Sequence, residues 1–131
     1  MSDSPAARIE REVASWPGVS VEPHRFGGVE FRVGRRELGH LHGSRLADLP
    51  FPTRIREELV TAGKAEPHHV LPKSGWVSRR IAGHHDVGAV VELFRLNYER
   101  AWTRGKDDSA VEAEQPVVKF QRRTEDGEAP R

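Results

Sequence analysis

"GVEFRVGRRELGHLHGSRLADLP", residues 28–50, decides the fold. Apolar and polar residues alternate through Val29-Glu30-Phe31-Arg32-Val33, the period of a half-buried strand. Gly34-Arg35 then reads as a two-residue type II′ hairpin turn with glycine first. That turn predicts the pairs Val33–Arg36, Arg32–Glu37, Phe31–Leu38, Glu30–Gly39 and Val29–His40. Arg32 and Glu37 become an opposite-charge cross-strand pair. A second glycine-first turn, Gly43-Ser44, predicts Leu41–Leu46, His40–Ala47, Gly39–Asp48 and Leu38–Leu49. Strands near 29–33, 36–42 and 45–50 then form an antiparallel meander. In this register His40 and His42 share the apolar face with Val29, Phe31, Leu38, Ala47 and Leu49, while Asp48 points to the other side. A slip of one residue would exchange the faces.

Working outward, residues 4–16 read as a helix. Ser4 can cap it, Pro5 takes the first helical position, and Ile9, Val13 and Trp16 make one stripe. Trp16-Pro17-Gly18 ends it, and residues 19–24 form a short strand. Thr53 can cap a helix with Ile55, Leu59 and Ala62 on its apolar side, closed by Gly63. "EPHHVLP" and "WVSRRI" read as strands joined by a turn at 72–75. A last helix from Asp86 to Trp102 carries Val87, Val90, Val91, Phe94, Tyr98 and Ala101 on one stripe. The order α-β-β-β-β-α-β-β-α is an α+β fold, an antiparallel sheet packed against helices. Residues 1–103 are expected to be a single domain. Residues 104–131 are polar and mixed in charge, the composition of a disordered tail, with "PVVKF" at 116–120 as its one apolar piece.

Composition narrows the function. With 36% hydrophobic and 31% charged residues in 131, the chain can build one core under a wet surface. The absence of cysteine excludes disulfides, thiolate metal sites and a cysteine nucleophile. A net charge of +1 sets up no global field for nucleic acid, so that partner is not favoured. No apolar run spans a bilayer, and "MSDSPAARIERE" lacks the apolar stretch of a signal peptide. A cytoplasmic protein with no membrane partner is expected.

From Glu37 to Tyr98 the chain resembles the luciferase-domain family, small α+β domains named for the fungal luciferase. "HLH" at 40–42, "DLPFP" at 48–52, "GKAEPHH" at 63–69, "GWV", and the helix ending in "LNYERA" carry the resemblance. His40, His42, Gly63 and His68 fit the family's pattern. The resemblance implies the fold, and the fungal member oxidises a hispidin-type luciferin with oxygen. Light emission is not carried over to this shorter chain. The sheet and last helix also resemble a double-winged, DNA-binding fold. That suggests a rival role: a non-catalytic interaction module using the 73–81 hairpin on nucleic acid or protein.

The site expectation follows. Alternate residues in a strand are about 7 Å apart at the backbone, and their side chains can converge on one ion. His40, His42 and His68 are the candidate catalytic residues and the candidate ligands of a divalent metal such as zinc. With no metal, a partly buried histidine serves as a general base. Ordinary hydrogen-bonded strand histidines remain the alternative. Asp48, Glu66, Trp76 and Tyr98 are secondary candidates for lining a small-molecule site. His84-His85 reads as a solvated turn, His69 faces away from His68, and His24 sits at a strand end. Arg79-Arg80 could hold an anion or stay solvated. The expected function is small-molecule binding at a histidine-lined pocket, with oxygenase-type or hydrolytic chemistry.

Overall fold

A computed structural model describes residues 4–24, 27–68 and 74–106. Residues 4–99 lie in one compact unit; from Arg100 the structure describes only the last turns of a helix. The unit is α+β. Helix α1 is Pro5–Ala14, followed by strands β1 (Val19–Pro23), β2 (Val29–Val33), β3 (Arg36–His42) and β4 (Leu46–Pro50). Helix α2 is Thr53–Thr61, β5 is Glu66–Pro67, β6 is Trp76–Arg80, and a short 3-10 turn at His84–Asp86 leads into α3, Val87–Lys106. All six strands form one antiparallel sheet in the order β1-β2-β3-β4-β6-β5, so β6 inserts between β4 and β5.

The helices begin and pack largely as their sequences dictate. Ser4 caps α1, its hydroxyl accepting from Ala7 N at 3.0 Å, and Pro5 stands in the first turn. Ile9, Val13 and Trp16 are buried. The residue preceding α2 is Pro52, with no side-chain cap, so Thr53 is the first helical residue rather than the cap. Leu59 is buried on α2, while Ala62 is exposed. On α3, Val90, Leu93, Phe94, Asn97 and Tyr98 are buried. Phe94 meets Phe31 edge-to-face at 5.1 Å between ring centroids, which lays α3 across the apolar side of the sheet. Tyr98 packs on Trp16 and donates to Pro17 O at 2.6 Å, tying α1 to the same side. Helix α3 continues four residues past the expected stop. The tail beyond Lys106, including "PVVKF", lies outside the described residues, as do His69, the rest of the expected strand to residue 72, and residue 73 of the expected turn.

Asp86 joins β6 to α3. Its carboxylate accepts from Ala82 N (2.7 Å) and Gly83 N (3.2 Å) and meets Arg79 at 3.1 Å. These contacts, led by the Ala82 N–H, hold its pKa below the ordinary carboxylate value. A carboxylate with a depressed folded pKa contributes stability that is present above the unfolded pKa of about 3.9 and lost as pH falls below it. Asp86→Asn is therefore expected to be less stable than wild type in urea at pH 7. The gap should narrow at pH 3. An equal gap at both pH values would defeat this assignment.

The meander register is where the structure departs from the expected one. Val33 pairs with Arg36 and Arg32 with Glu37 across a turn that has Gly34 at φ +60°, as anticipated. The ladder then shifts: Phe31 pairs with Gly39, Glu30 with His40 and Val29 with Leu41. Leu38 is the extra residue of a β-bulge, which leaves it out of the pairing. Its carbonyl is taken by Asn97 Nδ2 at 3.0 Å. The second turn is also longer by one residue. His42 pairs with Leu46, Leu41 with Ala47 and His40 with Asp48, so Gly43, Ser44 and Arg45 all lie in the turn.

The consequence is a correction to the placement of the histidines. Phe31, Leu38, Leu41, Ala47 and Leu49 are all fully buried or nearly so, and they form the core under α3. His40 and His42 are not on that face. They stand on the opposite one, and Asp48 stands there with them because it pairs directly with His40. Continuing the register outward gives one row of paired residues across the whole sheet: Glu22, Glu30, His40, Asp48, Ser78 and Glu66. Every member is polar.

Candidate functional site

The cluster is built around Asp48, whose side chain is fully buried. Ser78, its partner on β6, donates its hydroxyl to Oδ1 at 2.6 Å. The other oxygen, Oδ2, is approached by three imidazoles. His42 Nε2 lies at 2.9 Å, His68 Nε2 at 3.5 Å and His40 Nε2 at 3.6 Å. None of these approaches has hydrogen-bond geometry, so Oδ2 is a buried carboxylate oxygen without a hydrogen bond. His40 and His42 bring their own Nε2 atoms to 3.1 Å of each other.

His40 is fixed from behind. Its Nδ1 lies 2.7 Å from Glu37 Oε2, so in the neutral ring the proton sits on Nδ1 and the Nε2 lone pair faces the cluster. Glu37 reaches His40 because the bulge places residues 37 and 40 on one face, although they are three apart. Arg32, the expected side-chain partner of Glu37, pairs instead with Glu30. Burial raises the Glu30 carboxyl pKa, and the neighbouring Glu37 charge adds to the rise.

The electrostatics follow from these contacts. Burial alone would lower the His40 pKa; the Asp48 and Glu37 carboxylates outweigh it and raise the value to about 9. At 2.7 Å Glu37 makes the directed contact, while Asp48 at 3.6 Å acts through its charge. Burial alone would raise the Asp48 pKa; His40, His68 and Ser78 outweigh it and hold the carboxyl well below the usual range.

Aromatic rings wall the cluster. His24 stacks on His40 at 4.1 Å between centroids, 22° from parallel, and meets His42 edge-on at 5.6 Å. Trp76 stands 5.4 Å from the His40 ring and 6.1 Å from His68. Of the residues expected at the site, His40, His42, His68, Asp48 and Trp76 are thus together. Glu66 lies on the same polar row, exposed at the sheet's far strand. Tyr98 does not line the cluster; its ring and hydroxyl are engaged with Trp16 and Pro17 on the helix side. Two shallow depressions run along α1, bordered by Arg11 and Ser15, and neither touches a cluster residue.

Residues 35–97 match the family model described as the Luciferase domain. These residues belong to the luciferase-domain family. The matched span holds His40, His42, Asp48, His68, Trp76, Glu37 and Ser78, so the whole cluster except His24 lies inside the luciferase domain. No curated protein and no solved structure gives a significant match. Among the described residues no helix is long and apolar enough to cross a membrane.

Three cluster members were not legible as such. His24 looked like a strand end; its role comes from the β1–β2 hairpin folding it over His40. Glu37 looked committed to Arg32. Ser78 gave no signal of its own, since only the insertion of β6 beside β4 puts it opposite Asp48. His84 and His85 are exposed, as expected of a solvated turn. Arg79, one of the basic residues of the 73–81 stretch, is engaged by Asp86 at 3.1 Å.

Proposed function

We propose that the luciferase domain binds a small molecule over the His40–His42–Asp48–His68 cluster and that the cluster supplies the reactive groups for oxygenase-type or hydrolytic chemistry. One observation carries this reading: three imidazole nitrogens from two separate segments lie within 3.6 Å of one oxygen of a fully buried carboxylate. Burying a charge is costly unless its oxygens are satisfied. Here the carboxylate is anchored on one oxygen by Ser78 and presents the other to the rings. Clusters of strongly shifted ionisable groups are enriched at functional sites. His68 and Trp76, from the segment after α2 and the start of β6, supply a polar and an aromatic surface for the ligand.

The test is a thermal-shift screen of small oxygen-bearing aromatic and heterocyclic compounds against wild type, His68→Ala and Trp76→Ala. A binder at 100 times its Kd raises stability by about 2.7 kcal/mol. Wild type is expected to respond to a subset of compounds. The two variants should keep their unliganded melting temperatures within a few degrees and lose the response. A response that survives both substitutions would place binding elsewhere and end this reading.

A further inference from the structure

We propose that His40, His42 and Asp48 are the protein ligands of a single divalent first-row transition ion. Glu37 and Ser78 orient those ligands, and the His68 side of the site stays open to an exogenous oxygen ligand. The proposal rests on the reading that the cluster is the functional centre and names what that centre holds.

Spacing is the first argument. Donors that bind one ion at about 2.0–2.2 Å stand about 3.3 Å apart at tetrahedral vertices and about 3 Å apart at neighbouring octahedral ones. The three donor separations here are 3.1 Å (His40 Nε2 to His42 Nε2), 2.9 Å (His42 Nε2 to Asp48 Oδ2) and 3.6 Å (His40 Nε2 to Asp48 Oδ2). His40, His42 and Asp48 each offer one donor within 4.8 Å of the other two.

Direction is the second. Asp48 Oδ2 has imidazole nitrogens at hydrogen-bonding distance and yet no hydrogen bond, although it is fully buried. His40 Nε2 and His42 Nε2 hydrogen-bond each other at 3.1 Å, so binding an ion between them and Oδ2 would displace the proton they share, while no ring N–H is directed at Oδ2. An ion at that point would satisfy the oxygen that the protein leaves unsatisfied.

The surroundings are the third. A metal-bound histidine ordinarily gives its other ring N–H to a carboxylate, which fixes the tautomer. Glu37 at 2.7 Å from His40 Nδ1 is in that position. Ser78 occupies Oδ1 of Asp48 at 2.6 Å, which leaves Oδ2 as a single-oxygen ligand.

Donor chemistry selects the ion. Two imidazoles and one carboxylate suit zinc, ferrous iron or cobalt; calcium and magnesium call for oxygen donors throughout. Three protein ligands leave at least one position open, the arrangement of a reactive rather than a purely structural centre. His68 Nε2 is 3.5 Å from Asp48 Oδ2 but stands outside the set of mutually close donors. This places it beside the open position.

The experiment uses tag-free full-length protein stripped with EDTA, in a background where His84 and His85 are alanine, because those two exposed rings could bind metal on their own. Zn(II), Co(II) and anaerobic Fe(II) are titrated against a chromophoric chelator, with the Co(II) visible spectrum as a second readout. One equivalent is expected per chain, with a rise in melting temperature. The arms rank the three ions. Asp48→Asn and His42→Ala should weaken binding at least 100-fold. Glu37→Gln should weaken it about 10–100-fold, as orienting residues do. His68→Ala should keep the affinity within a few-fold and alter the Co(II) spectrum when azide is added.

No stoichiometric binding of any of the three ions overturns the proposal, as does unchanged affinity in Asp48→Asn and His42→Ala. Equal loss in His68→Ala and His42→Ala overturns the open position, making His68 a fourth ligand. If Asp48→Asn or His42→Ala does not fold, Glu37→Gln decides: unchanged affinity there overturns the assignment. The compound screen, repeated in EDTA, separates the two readings. A response that persists without metal and disappears in His68→Ala, in protein that binds no ion, leaves small-molecule binding standing and ends the metal assignment. Tight binding of one ion with no compound response in either condition supports the metal assignment and ends the small-molecule reading.

Discussion

Gly39→Ala is expected to cost about 2–6 kcal/mol and to lower the melting temperature by roughly 10–30 °C. Two independent effects add. Gly39 has φ +151°, a backbone conformation that L side chains rarely adopt, and holding alanine there costs on the order of 1–3 kcal/mol. A methyl group at this position would also stand 2.8 Å from Asp48 O, 2.8 Å from Leu49 Cγ and 2.9 Å from Phe94 Cε1. Overpacking of this kind costs about 1–3 kcal/mol. The backbone oxygen and the aromatic ring cannot both retreat, because β4 is held on both sides and Phe94 is pinned against Phe31. The sum is a large part of the roughly 5–15 kcal/mol that holds a domain of this size together. Denaturant unfolding of the variant measures it; a loss below 1 kcal/mol would mean that the bulge relaxes freely.

Asn97→Ala is expected to cost about 2–4 kcal/mol. The Asn97 amide nitrogen donates to Leu38 O at 3.0 Å and to Pro50 O at 2.7 Å, and the residue is buried. Removing it strands two carbonyls under α3, each at a penalty of about 1–3 kcal/mol that a small cavity for water would reduce. Asn97→Asp should be worse than Asn97→Ala, because a carboxylate would face the same two oxygens. Urea unfolding of both variants checks the order. If aspartate proves the milder change, the amide is not serving these carbonyls.

Much of the fold can be read from periodicity, and its phase cannot. The stripe of Ile9, Val13 and Trp16, the alternation at 29–33 and the glycine after Val33 each have a single sensible reading, and the structure agrees with all three. The bulge has almost no signature. One glycine inside a strand pattern, Gly39, is compatible with an unbroken ladder, with a bulge, or with close backbone approach. "HGSRL" fits a two-residue turn and a three-residue turn equally well. Each ambiguity is one residue wide, and one residue is a whole face in a strand. That is why His40, His42 and His68 can be grouped from their positions, while the expected register puts His40 and His42 on the apolar face, away from Asp48. Glu37 stands opposite Arg32 as expected, but its carboxylate goes to His40. The aromatic walls depend on a hairpin and a strand insertion, which no local pattern encodes.

The bulge also sets what kind of change this stretch of chain can absorb. Removing one residue between Val33 and His40, or adding one, would exchange inside and outside for everything that follows. Leu41 would turn to water and the histidines to Phe94. Shortening the Gly43–Arg45 turn would leave the histidines in place and slide Asp48 out from under them. Substitutions in this segment can be graded, weakening one contact at a time. Changes of length cannot, because the spacing from residue 33 to residue 48 is counted in odds and evens. Sequence drift around the cluster should therefore proceed by replacement at constant length, and loops outside it should carry the insertions.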